Sequence, residues 1–261
     1  MILAIDVGNT ETMLGLFKGR EAVHCWRIST QRHPTGDEMS ITLGSLLESA
    51  PGGRGGAVKR AVIASVVPQI DRSWEQALQL LRIPFIRIDG RTPLPVRLDV
   101  EEPFTVGADR IANTLAASCL FGRNTVVVDL GTATTFDCIT SDGVFLGGVI
   151  APGPRAGIER LHEVASKLPA VDIRRPETVI GRYTEACLES GVFYTLVEGI
   201  DGVVRRIIEE WAPEDPLVIA TGGLAEVLAP HCRTVERIDP LLTLLGLVCA
   251  DEHLRAMESG A

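Results

Sequence analysis

The sequence predicts an α/β protein in which one strand-and-helix unit occurs twice in tandem. Residues 3–10 and 126–133 are both short apolar runs that end in Asp-x-Gly and continue into small polar residues. The two aspartates, Asp6 and Asp129, are 123 positions apart, about half of the 261-residue chain. The same order of strand and helix patterns follows each copy. We therefore expect two domains, residues 1–118 and 119–261, with a cleft between them.

The first half has the pattern β-β-β-α-β-α-β. Its first helix is expected to begin near Asp37, because Thr35 and Glu38 have the spacing of a capping box. The other predicted elements are strands over 12–17, 22–28, 61–67 and 85–88 and a helix over 71–81. The stretch 51–56 is expected to be a loop inside this half.

The second half is predicted to repeat that order. Its long helical region has apolar residues on one face from Val197 to Trp211. The other predicted elements are strands over 134–139, 144–150, 217–220 and near Val235, and helices over 156–166, 224–228 and after Pro240. A helix over 109–121 is expected to join the two halves.

Composition and charge exclude several classes of protein. The net charge is −9 and no basic stripe is visible, which argues against a nucleic-acid partner. The six cysteines have neither zinc-type spacing nor that of a disulfide framework, and we expect small, buried, free thiols. The longest apolar stretch, 241–250, is too short to span a membrane, and no basic segment precedes Asp6. We expect a soluble cytoplasmic protein.

The first motif, Asp6 to Thr10, is typical of a phosphate-binding hairpin. Gly8 allows a sharp turn because glycine adopts positive φ without steric cost. Backbone N–H groups, the Asn9 amide and the Thr10 hydroxyl can then surround phosphate oxygens. Asp6 fits as a ligand, through water, of the Mg²⁺ that accompanies ATP. The alternative is an ordinary hairpin turn, for which Asp, Gly and Asn are also common.

The second motif begins at Asp129 and offers donors to the other side of a triphosphate. Gly131 contributes backbone and Thr132 a hydroxyl group. Asp129 ends the very apolar run 126–128, where an unpaired carboxylate is costly, so a cation is its natural partner.

A third motif, Thr221-Gly222-Gly223, lies between a predicted strand and a predicted helix. Paired glycines let the backbone come close to a flat ligand such as adenosine, although a glycine pair alone more often indicates only a turn.

The fourth motif, Gly107-Ala108-Asp109-Arg110, opens a predicted helix. Asp109 can be a general base beside a cation, Arg110, that holds an anionic group. It can equally be a helix cap, since aspartate is favoured in first turns.

Taken together, these motifs resemble the type III pantothenate kinases, members of the acetate and sugar kinase/Hsp70/actin superfamily. The resemblance runs nearly end to end, and its motifs are 6–10 with 15–17, 107–110, 129–137, 147–153, 168–169, Gly181 with Thr184, Gly191 and 221–223. It implies a duplicated ribonuclease-H-like, actin-like ATPase fold, two βββαβαβ halves around a nucleotide cleft.

The resemblance also implies an activity and its requirements. The family transfers the γ-phosphate of ATP to the 4′-hydroxyl of pantothenate, the first step of coenzyme A synthesis. It implies a homodimer that uses Mg²⁺ and a monovalent cation, K⁺ or NH₄⁺.

Roles follow by position in the family's motifs. Asp109 would be the base and Asp129 would hold the monovalent cation. The expected pantothenate contacts are Val100, Gly107, Ala108, Arg110 and Thr184. The expected nucleotide contacts are Asp6, Gly8, Asn9, Thr10, Gly131, Thr132, Thr221, Gly222 and Gly223.

Two positions depart from the family pattern. Val100 stands where the family usually has tyrosine, and Tyr183 precedes Thr184 where asparagine is more common. Both departures concern the acceptor rather than phosphotransfer. Two alternatives therefore stay open: a non-catalytic relative of the Bvg accessory factor group, and another small-molecule kinase or phosphohydrolase of the actin fold.

Overall fold

The computed structural model describes residues 1–51, 58–165 and 168–259, without the side chains of residues 159, 160 and 162. All but the first residue of the loop expected at 51–56 therefore lies outside the described residues, as does Ser166, the last residue of the predicted helix 156–166. The chain divides into two compact units. Unit 1 comprises Met1–Phe121 with Leu242–Ala261, and unit 2 comprises Gly122–Leu241.

Unit 1 is built on a five-stranded mixed sheet in the order β3-β2-β1-β4-β5. Strand β1 pairs antiparallel with β2 and parallel with β4. The strands are β1 (Ile2–Val7), β2 (Glu11–Lys18), β3 (Glu21–Ser29), β4 (Arg60–Ser65) and β5 (Phe85–Arg87). The helices between them are α1 (Gly36–Ser49) and α2 (Asp71–Leu80). This is the predicted β-β-β-α-β-α-β order.

The start of α1 confirms the predicted capping box. The Thr35 hydroxyl accepts from the Glu38 backbone N–H, and the Glu38 carboxylate accepts from the Thr35 N–H. These contacts satisfy donors that the first turn of a helix leaves unpaired. The helix then buries Met39 and Leu43 against the sheet, where they pack with Trp74 of α2.

Two further helices complete unit 1: α3 (Ala108–Phe121), preceded by the short strand β6 (Arg97–Leu98), and the last helix of the chain, α7 (Leu242–Ser259). Helix α7 packs against α3 and approaches it closely at Gly246, where an added Cβ would lie 2.0 Å from the Ala112 carbonyl oxygen. The Thr243 hydroxyl also donates to Asn113 Oδ1 at 2.9 Å.

The compact units thus differ from the two halves of the sequence repeat in where they place α7. The repeat assigns everything after residue 118 to the second half. Helix α7 belongs to unit 1 because its apolar face, which includes Leu244 and Leu247, is buried there, in contact with α3, β1 and β4.

Unit 2 repeats the sheet design, with its strands in the order β11-β10-β7-β8-β9. Strand β7 pairs antiparallel with β8 and parallel with β10. The strands are β7 (Thr125–Leu130), β8 (Ala133–Ile139), β9 (Val144–Pro152), β10 (Leu217–Thr221) and β11 (Arg237–Ile238). The helices are α4 (Pro154–Val164), α5 (Thr184–Trp211) and α6 (Ala225–Leu228). The short strand expected near Val235 begins two residues later.

The long helix α5 buries the predicted apolar face, including Val197, Ile200 and Val204. The same helix carries a fully buried carboxylate, Asp201, which accepts from the Arg233 N–H and from the N–H and hydroxyl of Thr234. These bonds fix the loop that leads into β11. Within the described part of the chain, no helix is long and apolar enough to cross a membrane. The expectation that the cysteines are buried is wrong for Cys119 and Cys187, which are exposed.

Candidate active site

In both units, the Asp-x-Gly motif lies where a parallel pair of strands ends. Asp6 on β1 lies opposite Ala64 on β4, and Asp129 on β7 lies opposite Thr221 on β10. Both aspartates are half-buried. Ligands of α/β proteins bind at the carboxyl ends of parallel strands, so both motifs lie where the topology predicts binding.

The first hairpin turns through Gly8, Asn9 and Thr10. The Gly8 N–H donates to the Glu11 carbonyl at 3.1 Å, and the Thr30 hydroxyl donates to the Gly8 carbonyl at 2.7 Å. The prediction that Gly8 has a positive φ is wrong. Glycine is needed there because an added Cβ would lie 2.8 Å from the Glu11 carbonyl oxygen. Asn9 and Thr10 have exposed side chains at the tip.

Val66, just beyond β4, connects this hairpin to Asp109. The Val66 N–H donates to the carbonyl of Val7, the last residue of β1, at 3.1 Å. A Cβ on Gly107 would lie 3.3 Å from Val66 Cγ1 and 2.4 Å from Asp109 Oδ1. The start of α3 therefore lies against the end of the β1–β4 pair, and the structure brings Asp109 to the same strand edge as Asp6.

Asp109 occupies the first turn of α3 without being its N-terminal cap. The helix begins at Ala108, and the Gly107 carbonyl accepts the Ile111 N–H at 3.1 Å, which places Gly107 in the cap position. Asp109 Oδ1 accepts the backbone N–H of Arg110 at 2.8 Å. Gly107 thus holds the cap position, while Asp109 is an acidic first-turn residue whose carboxylate accepts a first-turn N–H, as the alternative interpretation also expects.

The electrostatics of Asp109 suit proton transfer. Burial raises the pKa of its carboxyl group, and this effect outweighs the lowering by the Arg110 N–H and the Arg110 charge. A carboxylate with a raised pKa accepts a proton more readily than an ordinary aspartate does. The geometry thus allows general-base chemistry beside the phosphate-type hairpin.

The other expected acceptor contacts are divided between the two units. In unit 1, Ala108 is buried, Arg110 is half-buried, and Val100 is half-buried between β6 and the start of α3. In unit 2, Thr184 is the exposed first residue of α5, and it follows the exposed Tyr183.

The second hairpin is one residue shorter than the first. Only Gly131 and Thr132 separate β7 from β8, and the Gly131 N–H donates to the Ala133 carbonyl at 3.1 Å. An added Cβ on Gly131 would make only ordinary contacts, the nearest 3.5 Å from Asp129 Oδ1. At Thr132, the tip is closely packed against Gly153, because a Cβ on Gly153 would lie 2.0 Å from the Thr132 carbonyl oxygen.

Beside Asp129, the turn after β10 depends on glycine for two reasons. Gly222 has φ of +90°, a backbone conformation that other residues rarely adopt. Its Cβ would also lie 2.4 Å from Asp129 Oδ1 and 2.7 Å from the Leu130 nitrogen. The exposed Gly223 follows, and then α6, which is only four residues long. Close backbone approach, rather than a helix dipole, is what this turn offers a ligand.

The donor chemistry fits a cation that is shared with a phosphate ligand. Among residues whose placement is described, no three His, Cys, Asp or Glu side chains cluster as a metal site. Mg²⁺ is usually held by one or two carboxylates together with water and substrate phosphates. Asp6 and Asp129, each beside a hairpin with exposed N–H or hydroxyl groups, match that requirement.

Two contacts of the site were not predicted from sequence. The sequence predicts Val66 only as the end of an apolar strand. Its contacts with Val7 and with Gly107 depend on tertiary packing. Gly153 belongs to the motif 147–153, and the sequence does not predict its partner. The structure places it against Thr132, at the start of α4.

Comparison with known proteins gives a consistent result. The sequence profile of the type III pantothenate kinases matches residues 2–206. A type III pantothenate kinase of Halalkalibacterium halodurans is 44% identical over 250 residues, covering 95% of this chain and 97% of that protein. One of Pelobacter propionicus is 43% identical over 258 residues, covering 98% and 100%.

Solved structures show the same fold at low sequence identity. A Campylobacter jejuni protein provisionally assigned to the Baf family of transcriptional activators matches with a TM-score of 0.61 and 19% identity, covering 97% of this chain and 99% of that one. A glucokinase of the ROK family from Streptomyces griseus, solved with glucose and AMPPNP, matches with a TM-score of 0.56 and 13% identity, covering 98% and 99%. These likenesses support the duplicated ribonuclease-H-like, actin-like fold.

Proposed function

Since this chain belongs to the type III pantothenate kinase family, we propose that it phosphorylates pantothenate with ATP, the first step of coenzyme A biosynthesis. The reaction transfers the γ-phosphate to the 4′-hydroxyl and yields 4′-phosphopantothenate and ADP. The observation that carries the site assignment is the position of Asp109 at the strand edge that also carries Asp6 and its hairpin.

Asp109 is the proposed general base. Its carboxylate accepts the proton of the acceptor hydroxyl as the oxygen attacks phosphorus, and its raised pKa supports that role. Positioning matters more than basicity, because the transition state of phosphoryl transfer is loose. The rigid start of α3, held against Val66, supplies that positioning.

In this proposal, the acceptor contacts are the residues at the family's motif positions. The Arg110 guanidinium pairs with the pantothenate carboxylate, a charge-assisted contact that fixes orientation. Gly107 and Ala108 offer backbone close to Asp109. Val100 provides an apolar contact where the family has tyrosine, and Thr184 provides a hydroxyl group.

The nucleotide is held by the two hairpins and the glycine turn. Asn9, Thr10 and Thr132 donate to phosphate oxygens, and Gly8 and Gly131, whose N–H groups close the turns, let the backbone come close to the phosphates. Thr221, Gly222 and Gly223 let the backbone approach the adenosine, and the φ of +90° at Gly222 supports a turn that requires glycine.

Two cations complete the proposed site. Asp6 holds Mg²⁺ through water, and Asp129 holds K⁺ or NH₄⁺. When bound, the cations neutralise charge that develops on the phosphate oxygens. Asp129 suits this role because a half-buried carboxylate at the end of an apolar strand is stabilised by positive charge.

We also propose that the protein is a cytoplasmic homodimer, as the resemblance to the type III pantothenate kinases implies. On unit 2, Ile150 of β9 is 65% accessible and is available for a contact between copies.

The decisive experiment measures ADP release with and without pantothenate, first in potassium and then in sodium. We expect turnover that requires both pantothenate and potassium. Turnover that does not depend on potassium would contradict only the proposed monovalent-cation site at Asp129. Absence of stimulation by pantothenate, in a protein that still binds ATP, would favour the non-catalytic alternative. Stimulation by another hydroxyl compound instead would point to Val100 and an altered acceptor.

A further inference from the structure

Each hairpin of the proposed site lies next to the first residue after the third strand of its unit. In unit 1 this residue is Thr30, which follows β3, and in unit 2 it is Gly153, which follows β9. The two positions are equivalent, because each comes directly after the residue that pairs with the first residue of the second strand. The two units therefore support equivalent hairpins with different residues, a threonine in one and a glycine in the other.

Thr30 contacts the first hairpin through both its backbone and its side chain. Its N–H donates to the Thr10 carbonyl at 2.9 Å, and its hydroxyl donates to the Gly8 carbonyl at 2.7 Å. The hydroxyl oxygens of Thr12 and Thr30 lie 2.9 Å apart. A hydroxyl has one hydrogen, and that of Thr30 is used on Gly8, so Thr12 is the donor to Thr30. The two hydroxyl groups thus form a chain of hydrogen bonds that ends on the hairpin.

The last bond of this chain orients the peptide group between Gly8 and Asn9. No cis peptide bond occurs among the described residues, and the C=O and N–H of a planar trans peptide point in opposite directions. The Thr30 hydroxyl holds the Gly8 carbonyl towards the end of β3. The N–H of the exposed Asn9 is therefore aimed the other way, away from β3.

We propose that Thr30 is a positioning residue for the phosphates of the nucleotide, and that Thr12 holds the Thr30 hydroxyl in place. This inference rests on the proposed function, in which the first hairpin binds those phosphates. Without the hydroxyl, the peptide between Gly8 and Asn9 is less fixed, and a donor that must be ordered during binding contributes less to affinity. Thr12 is only 1% exposed, so water competes little for its hydroxyl group.

The first measurement needs no ligand, so it can fail independently of the proposed function. Thr30→Val removes the hydroxyl but keeps the shape of the side chain and the N–H that bonds to Thr10. Amide hydrogen exchange of the nucleotide-free protein is followed by NMR at Gly8, whose N–H donates to the Glu11 carbonyl. Exchange should be about threefold to tenfold faster in Thr30→Val, the factor that corresponds to one ordinary hydrogen bond. Thr30→Ser keeps the hydroxyl and should exchange like the wild-type protein.

The second measurement is the affinity for ATP with Mg²⁺, determined by calorimetry without pantothenate. Thr30→Val should weaken this affinity about threefold to tenfold and raise KM for ATP to a similar extent, while KM for pantothenate stays unchanged. A general loss of structure would change both KM values. Thr12→Val should have a smaller effect in the same direction, because Thr30 can still donate to Gly8.

Thr42→Val is the matched control. Thr42 lines the same small cavity as Thr12 and Thr30, but its hydroxyl donates to the Glu38 carbonyl within α1 at 2.9 Å. The same substitution at this position should leave Gly8 exchange and ATP affinity unchanged.

Three results would overturn the proposal. Gly8 could exchange as slowly in Thr30→Val as in the wild-type protein. Thr30→Val could bind ATP as tightly as Thr42→Val does. The wild-type protein could fail to bind ATP, which would also contradict the proposed function. By contrast, the expected order of ATP affinities in a protein that does not phosphorylate pantothenate would support the role of Thr30 and refute the proposed function alone.

Discussion

The two strand edges of this protein repeat the same Asp-x-Gly hairpin but differ in what lies beside it. In unit 1, the segment after the neighbouring parallel strand supplies the side chain of Val66, which lies beside Gly107 at the start of α3. In unit 2, the corresponding residue is Gly222, and because it has no side chain its backbone lies directly against Asp129 and Leu130.

This difference shows how one duplicated frame can hold two kinds of chemistry. The edge of unit 1 carries the half-buried carboxylate of Asp109, whose pKa is raised by burial, and this suits the proposed acceptor hydroxyl. At the edge of unit 2, glycine lets the backbone of the turn lie close to Asp129, and this suits the proposed cation and nucleotide. In the proposed site, the repeated hairpins supply phosphate donors, and the segments beside them supply the asymmetry.

The largest expected effect comes from removing the charge at the edge of unit 1. Asp109→Asn should lower pantothenate-dependent turnover by at least about a hundredfold, because the proton acceptor is lost. The free energy of unfolding should not fall, since burial disfavours the charged carboxylate in the folded state. Steady-state kinetics and urea unfolding measure the two quantities.

Asp37→Asn is the matched control, since Asp37 is an exposed first-turn aspartate of α1 in the same unit. It should leave turnover unchanged. Equal activity of Asp109→Asn and the wild-type protein would refute the role of Asp109 as base.

A side chain at Gly222 should displace Asp129 and the turn after β10 at the edge of unit 2. Gly222→Ala combines φ of +90° with a Cβ 2.4 Å from Asp129 Oδ1, and should cost roughly 1–3 kcal/mol of unfolding free energy. ATP affinity, measured by calorimetry, should also fall because Asp129 and the turn must move.

The control for this change is Gly199→Ala. Gly199 lies in α5 with no atom within 4 Å of an added Cβ, so alanine there should stabilise by about 0.5–1 kcal/mol. A Gly222→Ala variant as stable as Gly199→Ala would show that the turn does not need glycine.

The two hairpin glycines should respond differently to the same change. Gly8→Ala should cost about 1 kcal/mol, because the new Cβ would lie 2.8 Å from a backbone carbonyl. Gly131→Ala should change stability by less than about 0.5 kcal/mol, since its nearest contact is 3.5 Å away. Thermal unfolding of both variants tests the order, and a larger loss at Gly131 would contradict it.

The smallest effect is a pair of opposite pH dependences. The pKa of Asp109 is raised by burial, so its contribution to stability is present below the ordinary aspartate pKa and is lost as pH rises through the folded-state pKa. At Asp201, burial opposes the shift, but hydrogen bonds from Arg233 and Thr234 lower the pKa. Its contribution is present above the ordinary pKa and is lost as pH falls through the lowered value.

Urea unfolding of Asp109→Asn and Asp201→Asn from pH values below the ordinary aspartate pKa up to neutral pH separates these two cases. Relative to the wild-type protein, the first variant should gain stability as pH rises, and the second should lose it. Slopes of the same sign would contradict the assignment of one carboxylate to catalysis and the other to structure.

Much of the candidate site could be predicted because its signals are local. Thr35 and Glu38 predict the start of α1 through a spacing of three residues, and the structure confirms both capping contacts. The Asp-x-Gly motifs predict where strands end, and both hairpins form there. The reason given for Gly8 was wrong, since steric contact with the Glu11 carbonyl depends on the exact turn rather than on residue type.

The sequence by itself determined the repeated order of strands and helices, because apolar periodicity and turn residues act over a few positions. It also placed the phosphate-type hairpins, since strand ends follow from the same local pattern. Only the tertiary structure decided that α7 belongs with unit 1 and that Val66 joins the first hairpin to the start of α3. These contacts bring together residues tens to more than a hundred positions apart, and they depend on how closely the packed surfaces approach.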